Sequence, residues 1–269
     1  MKLKIKFIFL CYFFGISKIL SEFLNNKEKK IHSSNITQII HQTWKTYNLP
    51  LKFELMSRSW KVNCFPTWKY MLWSDDDNKK FLSKHYPWFV KRYNKFRFHI
   101  CRVDSMRYIY AHYFGGIYSD LDNECLRPFE HLLYKYELVF GTISGVYGLT
   151  NLSEGYVQNS FFYSSPQNKF WKYLLNIIVN SKDTSRPETT TGPVVLSNAI
   201  STYRKKFPSR SLKIYEAHYF NPFSWMKNGR LPPECKRLPR IQQHEWLLCR
   251  KFFKNNGSYV VQYHSHVWE

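Results

Sequence analysis

Four residues set the chemistry within reach of this sequence: Asp104, Arg107, Asp120 and Asp122, all within positions 102–122. That run has a helix-like half, then Gly115-Gly116, then Ile117-Tyr118-Ser119-Asp120-Leu121-Asp122. On a strand, successive side chains alternate faces, so Tyr118, Asp120 and Asp122 would share one side. Two carboxylates so close cannot both lose water without a counter-charge. A divalent cation supplies one, and hard oxygen ligands suit manganese or magnesium. Such a cation could in turn grip a diphosphate, the chemistry of a nucleotide-sugar site. An Asp-x-Asp tripeptide alone is as readily a solvated turn.

What distinguishes this instance is the segment that must position it. Val103, Met106, Tyr110 and Tyr113 fall on one helical stripe, with Asp104, Arg107 and Tyr108 on another face. Spaced i, i+3, Asp104 and Arg107 are either working groups or a surface ion pair worth a few tenths of a kcal/mol, roughly. Gly115-Gly116 predicts the helix stop, since glycine takes the left-handed cap without steric cost.

The pattern Arg-x-Asp-x-x-Arg-Tyr, followed by Gly-Gly-Ile-Tyr-x-Asp-x-Asp, resembles the DXD-containing sugar transferases of glycosyltransferase family 32. Further matches follow in family order. Ile39-Ile40-His41-Gln42-Thr43-Trp44-Lys45 is similar to the family's opening strand, and Trp68-Lys69-Tyr70-Met71-Leu72-Trp73-Ser74-Asp75 to its second. Thr191-Gly192-Pro193 is similar to a late turn of the catalytic domain. The resemblance implies a GT-A fold, an α/β domain with a mixed central sheet flanked by helices, over residues 36–269. It implies a metal-dependent, configuration-retaining hexosyltransferase, mannose favoured, using Mn2+ or Mg2+. The donor would be GDP-mannose or a UDP-hexose, and the acceptor a glycan or glycolipid. An inactive relative that binds sugar nucleotides without turnover is the alternative.

The resemblance also assigns roles. Asp104 and Arg107 match the pair that holds the donor sugar. Asp120 would contact ribose or sugar and the metal, while Asp122 would coordinate the metal directly. Trp44 would stack on the nucleotide base; on local sequence it could equally be a core tryptophan. Tyr108, Gly116, Tyr118, Asn159 and Gly192 complete the expected donor site. The C-terminus departs from the family pattern: aligned on Trp268, the usual histidine place falls near Gln262 or Tyr263. His264 is the expected third metal ligand, with His266 next.

Composition is compatible with this and excludes little. The 269 residues suffice for one sizeable core, and aromatic residues make up 19%. Net charge is +21, from 40 basic against 19 acidic residues. That fits nucleic acid, an anionic membrane or a phosphate-bearing substrate. The basic residues are scattered, densest at Arg204-Lys205-Lys206, with no nucleic-acid-binding signature, so no nucleic-acid partner is expected.

Lys2, Lys4 and Lys6 precede an apolar run over 7–16, interrupted by Lys18. That is the pattern of a signal peptide or short signal anchor over 1–20. A polar, lysine-rich stem would follow over 21–35. Family members are commonly single-pass, so the expectation is a Golgi or ER membrane protein with a lumenal catalytic domain. Outside the leader there are five cysteines; the odd count leaves one unpaired, and Cys235–Cys249 is the expected disulfide. Asn35, Asn151 and Asn256 head glycosylation sequons. Strands are predicted over 37–44, 68–73, 98–101, 138–142 and 160–164. Helices are predicted over 53–61 and 170–179, with another from Asn78 capped by Asp75-Asp76-Asp77. The alternation implies an α/β sheet covered on both faces.

Overall fold

The first strand opens with Ile39 and Ile40, whose branched side chains suit a pleated sheet, and its next residues are buried on both faces. It is β1 (Ile39–Thr43), and it pairs in parallel with β2 (Lys69–Trp73) and with β3 (Gly116–Ser119). The computed structural model describes residues 36–143, 155–208, 211–222, 235 and 243–263. Within Thr37–Glu269, one compact unit, α1 (Leu51–Ser59) joins β1 to β2 and continues as a wider π turn, Trp60–Cys64. After β2 come α2 (Asp75–His85), α3 (Pro87–Lys95) and α4 (His99–Tyr113), which feeds β3. Then follow β4 (Asn123–Cys125), β5 (Leu138–Thr142), β6 (Val157–Ser164), α5 (Lys169–Asn180), α6 (Pro187–Thr190) and α7 (Pro193–Lys206). The chain closes with β7 (Leu212–Tyr215), α8 (Ala217–Phe220), α9 (Gln243–Asn255) and β8 (Val260–Gln262).

Strand order in the main sheet is β2-β1-β3-β6-β5-β7, with β6 antiparallel to both β3 and β5. This is the mixed α/β sheet expected of a GT-A architecture. Both faces are covered. Phe140 and Phe162 pack on Trp171 of α5, at centroid distances of 5.9 and 4.7 Å. On the other face Phe161 meets Trp60 at 6.1 Å and Phe220 at 4.6 Å. A second ribbon, β4–β8, carries its own cluster of Leu126, Cys249, Phe253, Val261 and Tyr263.

Three expectations are corrected. Residues 98–101 are not a strand: α4 starts at His99, and tertiary packing overrides the local β preference. Nor is α4 amphipathic, since every residue from Asp104 to Ala111 is buried. It runs through the centre of the domain, so no face needs to be polar for solvent. The acidic triplet does not cap a helix from Asn78; α2 begins at Asp75. Ser74 is the N-cap, its hydroxyl accepting from the Asp77 N–H at 3.1 Å while the Asp77 carboxylate accepts from the Ser74 N–H at 2.9 Å.

The Gly-Gly stop is as expected: Gly115 has φ +67° and Gly116 φ +86°. Gly116, expected at the donor site, instead begins β3 at the end away from Asp120. A Cβ there would collide with the Ile39 carbonyl oxygen on β1. Its role is backbone geometry. Gly116→Ala should therefore lower stability by about 1–3 kcal/mol or more. Urea unfolding measures it, and an unchanged midpoint would remove this account.

The expected Cys235–Cys249 disulfide is present. So is a Cys64–Cys125 bond, which joins the end of the π turn to β4. Among the described residues Cys101 is the free thiol, buried in α4, where burial pushes its pKa up to about 11. Residues 1–20 and 21–35, Asn35 and Asn151 lie outside the described residues; Asn256 is exposed after α9. Among the described residues no helix is long and apolar enough to cross a membrane.

Candidate active site

Parallel strands β2, β1 and β3 place Asp75, Trp44 and Asp120 just past their carboxyl ends, the edge where α/β sheets gather ligands. The expected strand alternation through Asp122 is corrected. β3 ends at Ser119, and residues 120–122 form a turn closed by the Asn123 N–H donating to the Asp120 carbonyl at 3.1 Å. The last sheet bond runs from the Asp120 N–H to the Ser160 carbonyl, 2.8 Å. Beyond it the chain leaves the main sheet for β4. Gln42 Nε2 also donates to the Asp120 carbonyl at 3.1 Å, and Tyr70 in turn holds Gln42 at 2.7 Å. These two residues steady the turn, and sequence reading did not single them out.

Asp104 and Arg107 are not a surface pair. Their side chains are 5% and 3% exposed, and they meet at 3.1 Å. Arg107 reaches across to Asp120 at 3.3 Å and donates to the Asn159 carbonyl at 2.7 Å. Asp104 accepts from Asn159 Nδ2 and from the Thr191 hydroxyl, each at 2.9 Å. Thus α4, β6, the β3 turn and the α6–α7 junction converge on one guanidinium. Tyr118 donates to Asp120 at 2.8 Å, its ring lying under Arg107 at 4.8 Å. Tyr108 donates to the Thr191 carbonyl at 2.8 Å and accepts from Asn159 at 3.3 Å. Both tyrosines are fully buried, so they brace the charged groups from beneath. Gly192, the N-cap of α7, sits beside Thr191 with Glu188 Cα 2.8 Å from where a Cβ would stand. Thr191 was legible only as part of the Thr-Gly-Pro turn.

Asp104 and Asp120 share one guanidinium, that of Arg107. Burial pushes Asp120 up to about 7; Arg107 opposes this and the neighbouring Asp122 carboxylate adds to it. Burial likewise raises Asp104, against the pull of Arg107, Thr191 and Asn159. Burial alone would lower Arg107, but Asp120 and its other neighbours hold its pKa above the ordinary value. Asp120 keeps 27% of its side chain open to solvent. Two interacting carboxylates, Asp120 partly open to solvent and Asp122 buried beside it, offer the hard oxygen donors that a divalent cation takes.

Trp44 resolves toward the surface. It is half-buried, leaning on the buried Phe53 at 5.1 Å. Its neighbour His41 is buried and neutral, its pKa lowered to about 4 by burial. It accepts from Trp73 and donates to the Gly115 carbonyl, a structural role. The two positions where the family's late histidine would fall both point inward. Gln262 accepts from Ser160 and Asn221, and the Tyr263 hydroxyl donates to Glu124 at 2.6 Å. Yet the Tyr263 N–H donates to the Asp122 carbonyl at 2.9 Å, so the chain reaches the site there. His264 and His266 lie outside the described residues. Among the described residues no group of three His, Cys, Asp or Glu is disposed to hold a metal.

Residues 50–139 match the family described as "Glycosyltransferase sugar-binding region containing DXD motif". Residues 50–139 are thus similar to a DXD glycosyltransferase region, and the resemblance to glycosyltransferase family 32 is borne out. Inositol phosphoceramide mannosyltransferase 3 of Schizosaccharomyces pombe is 32% identical over 177 residues, 64% of this chain and 47% of that protein. The chain therefore spans about half the length of that relative. An uncharacterized glycosyltransferase of Acanthamoeba polyphaga mimivirus is 25% identical over 231 residues, 82% of this chain and 89% of that protein. Among solved structures, the PaToxG glycosyltransferase aligns at TM-score 0.46 and 18% identity, over 71% of this chain and 78% of that one.

Proposed function

We propose that the protein is a metal-dependent, retaining hexosyltransferase, with mannose from GDP-mannose as the favoured donor group and a glycolipid or glycan as acceptor. The observation that carries this is the buried Arg107, tied to both Asp104 and Asp120 at the carboxyl edge of the sheet. The mannosyltransferase name of the S. pombe relative favours mannose over the UDP-hexoses, and its inositol phosphoceramide acceptor favours a lipid. By the same resemblance the protein would work in the lumen of the Golgi or ER, held to the membrane through residues 1–20.

Asp120 and Asp122 would hold Mn2+ or Mg2+, with His264 the candidate third ligand. When bound, the cation would act as a Lewis acid on the leaving diphosphate. The chain's own residues supply the rest. Asp104 and Asn159 border Arg107, so sugar hydroxyls and a fixed positive charge can be presented together. Asp104 accepts from Arg107, Asn159 and Thr191 at once. A carboxylate so engaged is a poor covalent nucleophile. Front-face substitution through an oxocarbenium-like ion pair is therefore preferred to the two-carboxylate scheme of glycosidases.

Trp44, half-exposed at the end of β1, would stack on the donor base. Trp44→Ala should weaken nucleoside diphosphate binding by about 1–3 kcal/mol, the range for base–aromatic stacking. Its thermal unfolding should stay near wild type; collapse of the fold instead would return Trp44 to a packing role. The acceptor is tested by offering GDP-mannose with inositol phosphoceramide in detergent micelles and, separately, with an N-glycan. Mannosylated lipid is the expected product by mass spectrometry. Product on the glycan alone would move the acceptor, and no product with any donor would remove the reading.

A further inference from the structure

We propose that the outer face of α1 and the π turn after it docks on an anionic membrane surface. Folded surfaces usually scatter large apolar side chains singly. Here Leu51, Leu55 and Val62 are 71%, 41% and 59% exposed. Leu51 and Leu55, about one helical turn apart, share one side of α1, and Val62 is exposed on the π turn that follows. They lie opposite Phe53, Ser57, Trp60 and Cys64, which are buried. The inner face is pinned: Cys64 is bonded to Cys125, and Trp60 Nε1 donates to the Asn123 carbonyl at 2.9 Å. The apolar stripe cannot turn inward.

Charge selects the occupant. Positions 45–62 carry Lys45, Lys52, Arg58 and Lys61 against Glu54 alone. Lys52 and Lys61 flank the stripe on opposite sides. Their ammonium groups lie over the rings of Phe53 and Tyr70 at 4.8 and 4.4 Å, so their stems follow apolar surface. Exposed aliphatic side chains with Arg58 among them and lysines on either side are the design of a helix lying in a membrane interface, with anionic headgroups taking the charge. Nucleic acid would satisfy the lysines but leave Leu51, Leu55 and Val62 unused. Trp44, at the lip of the candidate site, packs on Phe53 of this helix. Docking would thus bring that lip to the plane of the headgroups.

The test uses the full chain with Cys11→Ser; Cys101 is buried and the other four cysteines are in disulfides. An environment-sensitive nitrobenzoxadiazole probe is attached at Leu51→Cys. A control carries it at Ser83→Cys, exposed on α2, whose Leu82 packs on the opposite face of the sheet. Phosphatidylcholine–phosphatidylserine vesicles should raise the emission and shift it to the blue at position 51 but not 83. High salt, or Lys52→Glu with Lys61→Glu, should abolish the shift. No shift at 51, or an equal shift with phosphatidylcholine alone, would overturn the proposal. So would a probe already in an apolar environment before vesicles are added, which would mean that protein covers the face. The readout is membrane contact, so it stands or falls independently of sugar transfer.

Discussion

Asp104→Asn is expected to cut turnover by about 10²–10³-fold, the loss seen when one preorganised electrostatic contact to a transition state is removed. The amide would turn one N–H2 group toward donors that now point at the carboxylate, from Arg107, Asn159 and Thr191. Arg107 would lose its nearest counter-charge. The partner experiment is Arg107→Lys rather than Arg107→Ala. Alanine would strand Asp104 and Asp120 as buried charges and cost about 3–5 kcal/mol of stability, confusing chemistry with folding. Lysine keeps the charge but cannot span Asp104, Asp120 and Asn159 as the planar fork does. Both variants should retain manganese-dependent affinity for the nucleoside diphosphate. A fall in kcat with little change in that affinity marks contacts made in the transition state. Full activity in both would leave the donor-sugar role of this pair without support.

Asp122→Ala should remove transfer altogether, by about 10³-fold or more, because a Lewis-acid cation supplies several kcal/mol of charge stabilisation. The fold should survive. The bond from the Tyr263 N–H uses the main-chain carbonyl of Asp122, which any residue retains. Losing the carboxylate also relieves Asp120 of a neighbour that raises its pKa. Turnover is measured in saturating manganese beside a thermal melt. Wild-type transfer by this variant would contradict the metal assignment.

How far the sequence foretold this arrangement differs from element to element. Strands at 37–44, 68–73 and 138–142 were legible because β-branched and aromatic runs there are bounded by polar turns and become sheet strands. The helix predicted over 170–179 is there, and it buries Phe170, Trp171, Leu174, Leu175 and Ile178. The failures cluster around α4. A helix buried all round has no polar face, so its stripe was misread and its first turn looked like a strand. The Asp-x-Asp segment defeated alternation because the Asn123 N–H closes a turn on Asp120, a bond no periodicity reveals. Asp104, Arg107, Asn159 and Thr191 converge only through the fold, since 87 residues separate Asp104 from Thr191. The Cys64–Cys125 bond spans 61 residues and had no local signal, unlike the compact Cys235–Cys249 pair.

In the proposed function the Asp104–Arg107–Asp120 cluster, with Asp122, is a cation-assisted nucleotide-sugar site. The direct measurement is consumption of GDP-mannose, UDP-galactose, UDP-glucose and UDP-N-acetylglucosamine by the purified protein, with manganese and with a chelator. One donor, GDP-mannose, should be consumed with manganese, and the chelator should stop it. A protein that melts cooperatively, yet consumes no donor and binds no nucleoside diphosphate in manganese, would contradict the account.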